Sequence, residues 1–223
     1  MSEAEPILVF GATGRCGRAV IQRGLIRGLR LTAYVRDEAK ALNLFGNANP
    51  NLTVVSGDLT DNSTIFPLLT HHHTVISCLS SFEPPHDRMS LLAKTLVDFS
   101  EASDRAPLRC IFYSLCGVEA DGDWVSHAIQ NALRVLSPGK FGPAIEDHKA
   151  VARILSSSSL DYTLFQAATM IEKPIGTPYE SGDPTTCPGV RLWNRWGVLD
   201  AADVCLDALD RSGLQRLQMR YLN

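Results

Sequence analysis

Long apolar runs are missing from this sequence. Nothing approaches the roughly 20 consecutive apolar residues that a membrane-spanning helix needs, which sets aside a helical membrane protein. A secretory leader is not expected either, because Met1-Ser2-Glu3-Ala4-Glu5-Pro6 is acidic where a leader is basic and then apolar. A cytoplasmic location is therefore expected. Neither sign of charge is in excess: 21 Lys and Arg against 24 Asp and Glu leave a net charge of −3. That balance gives no electrostatic footprint for nucleic acid or an anionic membrane surface. The six cysteines, Cys16, Cys78, Cys110, Cys116, Cys187 and Cys205, include no C-x-x-C pair, and several fall inside apolar strands. Reduced, buried thiols are expected, with neither a disulfide framework nor a metal centre. His71-His72-His73 does not alter this, since three adjacent histidines cannot all face one ion from a regular element, and a solvated loop is expected there. No internal repeat is present. What remains is ordinary globular composition, 45% hydrophobic and 20% charged over 223 residues, which reads as one domain over 1–223.

The strongest positive signal is at the start. Ile7-Leu8-Val9-Phe10 reads as a buried parallel strand and runs directly into Gly11-Ala12-Thr13-Gly14-Arg15-Cys16-Gly17, which opens an apolar-periodic helix. Gly11 permits a tight turn, Gly14 lets backbone N–H groups approach a pyrophosphate, and Gly17 lets the helix pack closely on the strand. The helix N-terminus then presents unpaired donors and a positive dipole end to the anion. Strand, turn and helix together are the context in which such glycines mark a dinucleotide site.

The next strand, Leu31-Thr32-Ala33-Tyr34-Val35, ends at Arg36-Asp37, where a dinucleotide-binding fold meets the adenosine ribose. An acid there bonds a free 2′-hydroxyl, whereas an arginine binds a 2′-phosphate. Arg36, Lys40 and Arg15 favour NADP(H) over NAD(H), and Asp37 argues the other way. Thr53–Ser56 forms a third strand, followed by Asp58 and Leu59. Asp58 is placed either on the adenine amino group or in the N-cap region of the next helix. The fourth strand, Thr74–Leu79, brings Cys78 and Leu79 past the nicotinamide-side ribose. Helical periodicity from Met89 to Ala102 precedes a fifth strand, Ile111–Ser114. The stretch Glu119–Gly142, with Trp124 and His127, has the length and mixed composition of a lid. A helix from about Ala144 to Ser156 leads to a sixth strand, Leu160–Phe165, and an excursion over about 170–200, richest in Pro, Gly, Thr and Ser from Pro174 to Pro188, faces the substrate. Asp200 caps a last helix, with Asp203 three residues on. Strands alternating with helices predict an α/β, Rossmann-type doubly wound, mostly parallel sheet with a small C-terminal substrate-side elaboration.

Five stretches in this order resemble the atypical short-chain dehydrogenases, and within them the NmrA-like group that includes flavin/biliverdin reductase-like proteins. They are Gly11–Gly17, Tyr34-Val35-Arg36-Asp37, Ser56-Gly57-Asp58-Leu59, Ser158–Leu164 and Asp200-Ala201-Ala202-Asp203-Val204. The resemblance implies NAD(P)(H) binding with substrate held by the C-terminal part. Ordinary short-chain dehydrogenases use a Tyr-x-x-x-Lys pair to deliver a proton. If Lys149 is that lysine, the tyrosine position holds Ile145, and the usual Arg-Pro after the late strand is Gln166-Ala167.

Ser114, Lys149 and His148 are thus the candidate catalytic groups. Adjacent helix residues point about 100° apart, so either His148 or Lys149 faces the cleft, not both. Gly11, Thr13, Gly14, Arg15, Cys16, Gly17, Arg36, Lys40, Asp58, Leu59, Cys78, Leu79, Lys149 and Gln166 are the candidate cofactor ligands, and no residue is assigned to a metal. Thr169 and Gln166 are candidates for uncharged pocket walls; Tyr113, Tyr179, Trp193 and Trp196 are read as packing residues that could supply aromatic walls. The expected activity is NADPH-dependent hydride transfer to a small conjugated, carbonyl or aromatic substrate. A non-catalytic NAD(P)-sensing protein and a non-redox isomerase or cyclase on the same scaffold are the alternatives. No nucleic-acid or membrane partner is expected, and a homodimer is compatible with the sequence.

Overall fold

The computed structural model describes residues 5–46, 48–103, 106–115, 128, 130, 131, 134, 135, 139–167, 169–172, 176, 178–187 and 194–222. The central strand is β1 (Ile7–Phe10), whose four residues are all buried. It lies between β2 (Leu31–Val35) and β4 (Thr74–Ser77), parallel to both. With β3 (Leu52–Ser56), β5 (Arg109–Leu115), β6 (Asp161–Ala167), β8 (Tyr179–Gly182) and β10 (Arg216–Tyr221), these form one eight-stranded sheet in the order β3-β2-β1-β4-β5-β6-β10-β8. Only β8 runs antiparallel, against β10. The order reverses beside β1, between β1 and β4, which is where open α/β sheets bind ligands.

The alternation of the strands explains the two helical layers. Leu8 and Phe10 point into a core shared with α3 (Asn62–Leu69), α4 (Arg88–Glu101) and α5 (Phe141–Ser156). Ile7 and Val9 point to the opposite core, built with α1 (Arg15–Ile26), α2 (Glu38–Phe45) and α6 (Val198–Asp207). The expected doubly wound architecture is thus present. Among the described residues no helix is long and apolar enough to cross a membrane.

Several local expectations change. His72 is buried rather than solvated. Its Nδ1 lies 2.6 Å from the Leu68 carbonyl and its Nε2 2.8 Å from Thr32 Oγ1, so both ring nitrogens are partnered as a buried imidazole requires. Gly197, not Asp200, caps α6. Asp200 sits in the first turn and accepts from the Tyr221 hydroxyl at 2.6 Å, while Asp203 takes Arg23 at 2.8 Å and Arg27 at 2.6 Å and so ties α6 to α1. The fourth strand stops at Ser77, leaving Cys78 and Leu79 in the loop after it. The Pro- and Gly-rich excursion is not all loop: Tyr179–Gly182 extends the main sheet, and β7 (Thr169–Ile171) pairs with β9 (Arg195–Gly197) in a small parallel sheet of its own. Cys116, Trp124, His127, Trp193 and most of 119–142 lie outside the described residues. The five described cysteines are free thiols.

Candidate active site

The glycine loop is built as its sequence requires. Gly11 adopts φ 72°, and a Cβ there would stand 2.7 Å from the carbonyl carbon and oxygen of Cys78. A Cβ on Gly17 would stand 2.2 Å from the Gly11 oxygen, so the first turn of α1 rests directly on the loop backbone. Gly14 N–H closes the turn onto Gly11 O at 3.0 Å. Gly14 is also the N-cap of α1 and brings no side-chain cap, so the leading N–H groups of the helix remain open to an anionic ligand. Cys16 lies among these groups, and burial pushes its thiol up to about 11, which keeps it uncharged near pH 7.

Around the loop the candidate cofactor residues are distributed along the carboxyl edge of the sheet. Arg36 is exposed at the end of β2. Asp37, its neighbour, caps α2 by accepting from the Lys40 backbone N–H at 2.9 Å, so that carboxylate already has a structural partner. Asp58 does not cap α3; Asp61 does. Asp58 Oδ1 instead accepts from Thr60 Oγ1 at 2.6 Å and Thr60 N–H at 2.8 Å, and these bonds, helped by Arg36, hold its carboxyl below the usual range. Its backbone oxygen takes the Tyr34 hydroxyl at 2.9 Å. Thr13, Leu59 and Leu79 are half-buried, and Cys78 is buried behind Gly11. Arg15 Nη1 crosses to the Met170 carbonyl at 3.0 Å.

Of the three candidate catalytic groups, the fold brings two together. Ser114 ends the buried part of β5, and His148 lies on the inner face of α5, with Ser114 Oγ and His148 Nδ1 at 3.4 Å and each residue under 5% exposed. Lys149, one residue on, turns outward, its Nζ 4.0 Å from Glu146. Ile145 is buried and supplies no phenol. Gln166 stands opposite Ser114 in the β5–β6 register and accepts from Gln218 Nε2 at 2.8 Å, which holds an uncharged amide pair at this edge. Phe82 packs edge-on against Phe141, ring centroids 5.5 Å apart, and 6.4 Å from the His148 ring. Tyr113 and Trp196 are core residues: the Tyr113 hydroxyl reaches Ala201 O, and Trp196 stacks on Phe165 at 5.7 Å.

Asp147 is a structural residue that sequence reasoning missed. Its buried carboxylate accepts from the Ser81 hydroxyl and from the backbone N–H groups of Met89 and Ser90, both at 3.1 Å. These two amides belong to the first turn of α4, whose own N-cap, Asp87, makes no side-chain cap bond. Asp147 therefore caps a neighbouring helix and anchors the segment after β4. The available signal was an acid spaced three residues after Ala144 and four before Val151, on a stripe that is otherwise apolar.

Burial lowers His148 to about 4, against a smaller opposing effect of Asp147, so the imidazole is neutral near pH 7. The site thus offers a hydroxyl and an uncharged imidazole, able to donate, accept and pass a proton. The shift also predicts acid sensitivity. Above the ordinary value of 6.5 the ring is neutral folded or unfolded; as pH falls from 6.5 towards 4 the unfolded chain protonates first and stability drops. The loss attributable to His148 reaches about 3 kcal/mol when complete. Urea midpoints at about pH 7 and about pH 5 should show a smaller decrease for His148→Gln than for the wild type. His72, lowered by burial in the same direction, leaves a residual slope.

The comparisons with known proteins agree with this fold. Full-length structural likenesses include an anaerobillin reductase of Escherichia coli O157:H7 (TM-score 0.74, 17% identity, 98% of each chain), an oxidoreductase of Lactococcus lactis (0.75, 17%, 98% of this chain and 91% of that one) and a short-chain dehydrogenase/reductase of Veillonella parvula in complex with NADP (0.70, 16%, 96% and 94%). At these identities the likeness is one of fold. An uncharacterized chloroplastic protein of Arabidopsis thaliana is 29% identical over 86 residues, and the chain spans about 30% of that relative's length. The NAD(P)H-binding family model matches residues 11–214, from the first glycine of the loop to the turn before β10, and the chain belongs to that NAD(P)H-binding family.

Proposed function

We propose that this protein is an NADPH-dependent oxidoreductase that reduces a small conjugated, carbonyl or aromatic substrate. The observation that carries the reading is the buried, uncharged Ser114–His148 pair at the carboxyl end of β5, two strands from β1 and its glycine cradle. The cradle suits a dinucleotide, because a Cβ at Gly11 or Gly17 would meet backbone. Gly11, Thr13, Gly14 and Gly17 would hold its pyrophosphate, Asp58 and Leu59 the adenine side, and Cys78 and Leu79 the nicotinamide side. Arg36, Arg15 and Lys40 favour a 2′-phosphate, and the cap bond to Lys40 N–H already engages one oxygen of Asp37, the residue that argues for a free ribose hydroxyl.

When bound, the dinucleotide supplies the hydride. With Nδ1 protonated, His148 donates to Ser114 Oγ and leaves the Ser114 hydroxyl hydrogen for the substrate atom that gains negative charge. Phe82 and Phe141 exclude water from this end, and the Gln166–Gln218 pair adds polarity without charge. Orientation in a dry pocket carries most of the acceleration. Ile145 in the place of the usual tyrosine favours one second reading, a protein that binds the cofactor without turning it over.

Arg36→Asp tests the cofactor assignment. Losing charge-assisted bonds worth about 1.5–3 kcal/mol should weaken NADPH about 10- to 150-fold. NADH binding should change little, as followed by tryptophan fluorescence.

A further inference from the structure

The helix that opens at the glycine loop is fastened to the C-terminal part of the chain at both ends. Near its C-terminus, Arg23 and Arg27 grip Asp203 of α6 through partly buried ion pairs. At its N-terminus, Arg15 donates to the Met170 carbonyl of β7. Met170 stands opposite Trp196 in the β7–β9 register, and β9 runs without a break into α6. Trp196 is anchored by its stack on Phe165, whereas β7 is three residues long with an exposed Thr169 and half-buried Met170 and Ile171. A strand this short, paired in a two-stranded sheet, depends on whatever else pins it. The pin on Met170 is an exposed guanidinium one residue beyond Gly14. It stands at the edge of an open cleft of about 440 Å³ shared with Arg18 and Glu172.

A guanidinium has five N–H donors in a rigid fork, and Met170 takes a bond from one nitrogen. We propose that Arg15 is a positioning residue that couples binding of the cofactor to the order of β7 and β9. This rests on the reading that the loop holds NADPH. Cofactor phosphate and the Met170 carbonyl are acceptors for the same fork, so a bound phosphate immobilises the side chain that holds β7. The substrate-side strands then settle once the cofactor is in place. By linkage, settled strands tighten the cofactor by the same factor.

The test is hydrogen exchange of residues 169–172 and 194–197 with and without saturating NADPH, in wild type, Arg15→Ala and Arg15→Lys. Fluorescence titration sets the saturating concentration for each protein. Wild-type exchange in both segments should slow about fivefold or more on NADPH binding, the low end of ordinary coupling between sites. Arg15→Ala should bind NADPH with no such slowing. Arg15→Lys, whose ammonium can reach a phosphate or the carbonyl but cannot bridge them as a fork, should slow by less than half as much. Equal slowing in wild type and Arg15→Ala would overturn the coupling while leaving the cofactor reading intact. Failure of the wild type to bind NADPH would overturn the cofactor reading and the coupling together.

Discussion

Gly17→Ala should abolish measurable dinucleotide binding and lower stability by about 2–4 kcal/mol, a large effect for one methyl group. The atoms it would strike are Gly11 O at 2.2 Å, Ala12 Cα at 2.7 Å and Gly11 C at 2.8 Å, all backbone, so no side chain can swing aside. Either α1 lifts off the loop or the loop loses its turn, and both displace the open N–H groups at the helix start. Gly24→Ala, farther along the same helix, is the control. Its Cβ would meet Leu31 Cδ1 at 2.9 Å, the end of a side chain that can adjust, and Ala is the better helix former. It should bind NADPH normally and shift stability by less than about 1 kcal/mol. Thermal unfolding and fluorescence titration of the two variants separate the outcomes.

Asp147→Ala should cost about 3–5 kcal/mol. The substitution strips Met89 N–H, Ser90 N–H and Ser81 Oγ of their shared acceptor in a buried place, and each orphaned donor carries about 1–3 kcal/mol. Asp147→Asn keeps the volume and one oxygen, so it should recover about half of that loss. Urea unfolding of both variants gives the comparison, and a cost for the alanine variant below about 0.5 kcal/mol would show that α4 is capped by other means.

The parts of this molecule that were legible in the sequence are those whose causes are local. The run from Ile7 to Gly17 contains its own strand, turn and helix start, and the strand end at Arg36-Asp37 follows at the expected distance, so both the doubly wound sheet and the tight glycine turn could be read directly. What could not be read depends on residues far apart in the chain. Asp147 caps a helix start 57 and 58 residues earlier. His72 is buried because Thr32, 40 residues away, offers its second partner. The choice between His148 and Lys149 waited on which face of α5 meets β5, which brings Ser114 against one and leaves the other at the surface. The C-terminal strand Arg216–Tyr221 was not read from the sequence either, because its place depends on two distant partners: β6 on one side and, on the other, Tyr179–Gly182, which sits in a stretch whose Pro and Gly content reads as loop.

Reductase activity is read most directly from nicotinamide absorbance in a solution of this protein, NADPH and a panel of quinones, flavins and conjugated carbonyl compounds. Protein-dependent oxidation of NADPH by at least one acceptor is expected, faster than with NADH and greatly slowed by Ser114→Ala. Tight NADPH binding with no oxidation across the panel would contradict it and leave the protein as a sensor of the cofactor.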